Sequence, residues 1–270
     1  MTAEALQHHV AGTYRNLRKS MAILSFAFPL VLLFAGWFWH GVPPQGSMSA
    51  YYLAESGGPG AIPEFLRQRN VGFINDFLSQ FDPRTPMRSW FVGFLFVLGV
   101  VMIVYQGLTR EENWLLNFAG VFALGVAVFP TGGCTKCGWL TVHGVSAGAS
   151  FLCLGVVAWI GARQILRKDL GKAKTRYYQT RYWITAVAML VSPAAAWLVT
   201  QLLGETYFVF WAEAFGLWSF AAYWYFKSRE LAETEAEKRA MEKKLATSSA
   251  PVVARLPRVR VDELVPVANS

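Results

Sequence analysis

Two of the three cysteines in this chain stand close together, as Cys134-Thr-Lys-Cys137 within the stretch FPTGGCTKCGW. A C-x-x-C of this kind can pin a loop as a disulfide, hold zinc with two more ligands, or exchange thiols, and Lys136 between the sulfurs would favour a thiolate. In an oxidising compartment the disulfide is the default. Zinc would have to draw on His143 and His40, an incomplete set, and an electron relay between thiol pairs would need a second pair where only Cys153 remains. We assign no metal and no cofactor, and carry Cys134 and Cys137 forward as a disulfide or redox pair.

The second constellation is built on a carboxylate. Glu213 lies in FVFWAEAFGLW, surrounded by apolar residues, where an ionised group needs a partner. Arg88, His143 and His40 each stand at an edge of an apolar block. Ser146 and Ser150 follow His143 at i+3 and i+7, on one helical face, and GSMSAYY brings Ser47, Ser49, Tyr51 and Tyr52 close behind the first block. Arginine would take an anionic group, the tyrosines an apolar body, and Glu213 with His143 could orient a guest or exchange a proton. The structural alternative pairs Glu213 with Arg88 or His143 to pin the fold, with Ser146 and Ser150 as small packing residues. Gly93, Gly99, Gly120 and Gly125 read as close-packing positions.

Hydrophobic residues make up 54% of the 270 and charged ones only 16%, and the apolar residues fall in long blocks rather than in stripes. A helix needs about 20 apolar residues to cross the roughly 30 Å of hydrocarbon in a bilayer. By that rule spans are expected at 21–39, 89–107, 113–130, 143–162, 182–203 and 206–226. Continuous runs exclude the alternation of a membrane barrel. The expected fold class is all-α, a polytopic bundle of six transmembrane helices. The first block follows Arg15, Arg18 and Lys19 as a signal peptide would. Its length, its closing Trp37-Phe38-Trp39 and the HGVPP that follows instead mark a retained helix.

Sidedness follows from the basic residues. The segment 163–181 has seven Lys and Arg against one acid, whereas 40–88 balances four Arg against four acids, so the first is cytoplasmic and the second outer. Both termini are then cytoplasmic, and the expected location is the plasma membrane, a bacterial inner membrane crossed several times. The formal charge of +8 is this same bias, and no motif for nucleic acid accompanies it. Residues 1–20 form a short cytoplasmic arm, 21–227 the membrane domain with its long outer loop at 40–88, 228–247 a charged, solvated helix, and 248–270 a disordered tail. Within the loop, 64–81 carries an amphipathic pattern that either lies in the interface or caps the bundle.

Taken together, GSMSAYY, TPMRSWFVGFLFVLGVVMIVYQG, NFAGVFALGVAVFPT, VHGVSAGASFLCL and FVFWAEAFGLWSFAAYWYFK resemble an uncharacterised group of bacterial six-span membrane proteins, the domain-of-unknown-function 998 type. The resemblance covers most of 12–228 and implies the six-span fold. The matching positions are Ser47, Ser49, Tyr51, Tyr52, Arg88, His143, Ser146 and Glu213. Where that group has a His after the tyrosines and an Asp after the Arg, this chain has Leu53 and Ser89. The resulting expectation is a membrane protein whose outward-facing polar pocket binds a lipid headgroup or small amphiphile. Its partners are membrane lipids and, through the charged C-terminal helix, a protein. The alternatives are a thiol-disulfide oxidoreductase using Cys134 and Cys137, and a scaffold subunit of a membrane complex.

Overall fold

A computed structural model describes residues 3–55, 85–129, 141–164, 167–203 and 207–234. Among them are six α-helices, one short 3-10 turn and no strand. The helices are α1 (Ala3–His40), α2 (Pro86–Val104), α3 (Arg110–Val128), α4 (Val142–Arg163), α5 (Arg167–Leu203, broken by a kink at Gly171, whose φ is 71°) and α6 (Phe208–Thr234), with the 3-10 turn at Ser49–Tyr52. Cys134, Cys137, the 64–81 segment and the tail lie outside the described residues.

Local chemistry explains where these helices begin and end. Thr109 caps α3 by accepting the Glu112 N–H at 3.3 Å while the Glu112 carboxylate reaches back to the Leu108 N–H at 3.1 Å, a variant of the capping box. Thr141 caps α4 in the same way through the Gly144 N–H. The end of α1 is set by Gly41, whose φ of 62° suits a residue without a β-carbon and turns the Val42 N–H back onto the Gly36 carbonyl at 2.8 Å.

Each helix packs on its neighbours in sequence, and α6 closes back onto α1, so the six form a ring. Four of them are long and apolar enough to cross a membrane, within His9–His40, Pro86–Val104, Val142–Arg163 and Leu170–Val199. The two others are interrupted by charge: α3 opens on Arg110, Glu111 and Glu112, and α6 carries Glu213 and ends in a polar turn. The outer surface of the ring is apolar. Phe26, Ile184 and Leu202 are 56%, 61% and 72% exposed, which water would penalise and acyl chains would not. Trp37, Phe38 and Trp39 are exposed together at the end of α1, and such aromatic residues are enriched at membrane–water interfaces.

Small residues bring α2 and α3 into backbone contact. A β-carbon on Gly120 would stand 2.6 Å from the Gly99 carbonyl, and one on Gly99 would stand 2.9 Å from the Gly120 carbonyl. Gly125 makes room for the Ser146 hydroxyl. Gly93 differs from the sequence expectation: nothing lies within 4 Å of its missing β-carbon, and it faces out of the ring.

Candidate functional site

The chain between α1 and the 3-10 turn is a strap tied to the start of α6. The Phe210 N–H, one of the donors an α-helix leaves unpaired at its N-terminus, donates to the Gly46 carbonyl at 2.8 Å. The Met48 N–H donates to Glu213 Oε2 at 2.6 Å. Ser47 and Ser49 share a hydrogen bond at 3.1 Å, and the Ser47 hydroxyl also accepts the Ala50 N–H, which holds the 3-10 turn. Tyr51 then lies over Gly36 and against Phe210, and Tyr52 packs edge-on to Phe91, both buried.

Beneath this strap is a cavity of about 80 Å³ inside the ring. Its end under the strap carries Met48, Ser49, His143 and Glu213, and Ser150 lines the cavity about two turns of α4 further in. Its lower walls are apolar, chiefly Phe28, Leu98, Met102, Leu154 and Leu217. That volume accommodates a few waters or a slim alkyl segment. His143 is buried, with Nδ1 2.8 Å from the Phe129 carbonyl; a carbonyl only accepts, so Nδ1 carries the proton and the neutral ring keeps Nε2 as an acceptor. Ser150 donates to the Ala119 carbonyl at 3.3 Å and retains its own lone pairs.

The residues singled out from the sequence separate into two groups. Ser49, His143 and Glu213 converge on the cavity, while Ser47, Tyr51 and Tyr52 build its roof. Arg88 is exposed on the rim. Its Nη2 donates to the Tyr52 hydroxyl at 2.9 Å and its guanidinium stacks 4.6 Å from that ring's centroid, so it holds the roof from outside. Ser146 is turned toward α3 rather than into the cavity. The i+3 offset rotates it by about 60° from His143, whereas i+7 leaves Ser150 nearly in line. Glu213 is bonded to neither Arg88 nor a histidine; its partner is a backbone N–H of the strap, which residue types could not reveal. Cys153 is a free, half-buried thiol, and no cluster able to hold a metal occurs among the described residues.

A second polar cluster, not anticipated from the sequence, lies at the far end of the ring. Lys227 and Glu230 are 3% and 1% exposed and pair at 3.3 Å, and Tyr182 donates to Glu230 Oε2 at 2.6 Å. Arg18, also buried, donates from Nε to Ser228 Oγ at 3.3 Å. The first turns of the 228–247 helix are thus packed inside at Glu230, Leu231 and Thr234, not solvated all round. The signal was present as spacing: Lys227, Glu230, Leu231 and Thr234 repeat at i, i+3, i+4 and i+7, one face of a helix.

The neighbouring face does meet solvent. Glu233 accepts from Tyr178 at 2.8 Å and from Lys174 at 3.0 Å, and these bonds, the tyrosine's first, hold its carboxyl below the usual carboxylate range. A depressed carboxylate adds stability that is present above its unfolded pKa and lost as pH falls through the folded one. Because the group is part-exposed and screened, Glu233→Gln should cost under about 1 kcal/mol at neutral pH, and that deficit should vanish in acid. Thermal midpoints of both proteins from neutral pH downward would check it; a constant gap would contradict it.

Comparisons with protein-family models, with curated proteins and with solved structures return no match.

Proposed function

We propose that the chain is a six-span integral protein of the plasma membrane, of the 998 type, that binds a small amphiphile or lipid in an outward-facing cavity. In this reading α3 and α6 cross the bilayer with the other four helices, since each completes the ring, and the strap faces the outer side. One observation carries the proposal: a single cavity is polar at the end under the strap and apolar at the other. An amphiphile has the same two ends, and sites for small molecules characteristically pair apolar walls with a few converging polar groups.

The test is to fill the cavity from its wall. Ala147 lines it and is half-buried, so Ala147→Phe should displace the tail while leaving the ring intact. Native mass spectra of protein released from lipid nanodiscs should show occupancy by co-purifying amphiphile reduced by about tenfold, equivalent to about 1.4 kcal/mol. Unchanged occupancy in a folded variant would remove the proposal.

A further inference from the structure

We infer that the cavity selects a cationic, hydrogen-donating headgroup, in the simplest case a primary ammonium on an apolar tail. This rests on the amphiphile reading and specifies its chemistry. The polar end of the cavity is made almost wholly of acceptors. Glu213 contributes a carboxylate with one N–H donor, from Met48. His143 contributes Nε2, because the Phe129 carbonyl fixes its proton on Nδ1. Ser150, about two turns of α4 further in, has spent its hydrogen on the Ala119 carbonyl and has only lone pairs to offer. Ser49 shares its hydrogen bond with Ser47.

Among the described residues, neither lysine nor arginine lines the cavity, and none forms an ion pair with Glu213. Arg88, which the sequence offered as an anion binder, is turned to the rim and engaged with Tyr52. A carboxylate in a cavity lined by Phe28, Phe91 and Leu217 is costly unless it takes up a proton or positive charge reaches it. An ammonium supplies that charge and three N–H donors, which Glu213, His143 and a serine can receive. A carboxylate or phosphate head would instead face Glu213 with nothing to offset the repulsion. A bare monovalent cation would leave the apolar lower walls without an occupant.

Three probes with one tail separate the possibilities: octylammonium, octanol and octanoate, each measured by equilibrium dialysis against protein in nanodiscs, with empty discs subtracted. Octylammonium should bind saturably and about tenfold or more tighter than octanoate. Glu213→Gln keeps an acceptor for the Met48 N–H and removes the charge. It should erase that preference while octanol binding, which also reports an intact cavity, stays within about threefold. Octanoate binding as tightly as octylammonium, or a preference that survives Glu213→Gln, would overturn the inference and leave the amphiphile site standing. Saturable binding of none of the three would overturn both.

Discussion

Replacing Glu230 with alanine should destabilise the folded chain by about 3–5 kcal/mol, the usual cost of leaving one partner of a buried ion pair alone. The change strips Lys227, 3% exposed, of its counter-ion and the Tyr182 hydroxyl of its acceptor. The Lys227 ammonium has no good alternative: the Tyr182 ring, 5.6 Å away, offers only a weak cation–π contact. Reversible unfolding in mixed micelles would read the loss.

Two controls separate charge from packing. Glu230→Gln keeps an acceptor near Tyr182 and should cost less than alanine does. Replacing both members with apolar residues of similar size, as Lys227→Met with Glu230→Leu, should recover much of what either single change loses, because neither member of the pair then leaves a lone charge behind. If the double variant is instead as unstable as the sum of the singles, the pair is not a coupled unit and the assignment fails. This cluster binds the end of α6 to α5 and, through Arg18 and Ser228, to α1, so its loss should loosen the end of the ring away from the cavity.

What could be read beforehand follows from what the bilayer selects. Apolar blocks announced α4 to within one residue at each end and α2 to within three, because span length is set by hydrocarbon thickness. They understated α1 and α5, which begin at Ala3 and Arg167, since turns outside the hydrocarbon follow capping and packing rather than hydropathy. His143 and Glu213 stood out as titratable groups in apolar surroundings, and the structure brings both to one cavity. The Met48 N–H that holds Glu213 was invisible, because every non-proline residue carries the same backbone donor. The Glu230 cluster was missed for a different reason. Averaging 228–247 as a charged stretch hid the fact that one of its faces, at Glu230, Leu231 and Thr234, is buried.

The glycines show the same limit, and they yield the sharpest packing prediction. Gly93 and Gly99 both lie in α2 and looked alike from composition, yet only Gly99 meets α3. Gly120→Ala would place a methyl 2.6 Å from the Gly99 carbonyl and 2.7 Å from Ile103 Cγ1. The side chain can rotate aside, but a helical carbonyl cannot without breaking its own hydrogen bond, so the two helices must separate. Separation loosens a seam that includes Leu95, Leu98, Met102, Leu116 and Ala123, all buried, and it widens the cavity that four of these line. The expected cost is about 1–3 kcal/mol, in the range for overpacking a close contact. Gly93→Ala has open space around it and removes a flexible residue from a helix interior, so it should be neutral or stabilise by up to about 1 kcal/mol. Unfolding titrations of the two variants against the parent would compare one substitution in two settings. Equal effects would mean that the α2–α3 contact is not a constraint on the ring, whereas a loss confined to Gly120→Ala, accompanied by weaker amphiphile binding, would tie that contact to the shape of the cavity.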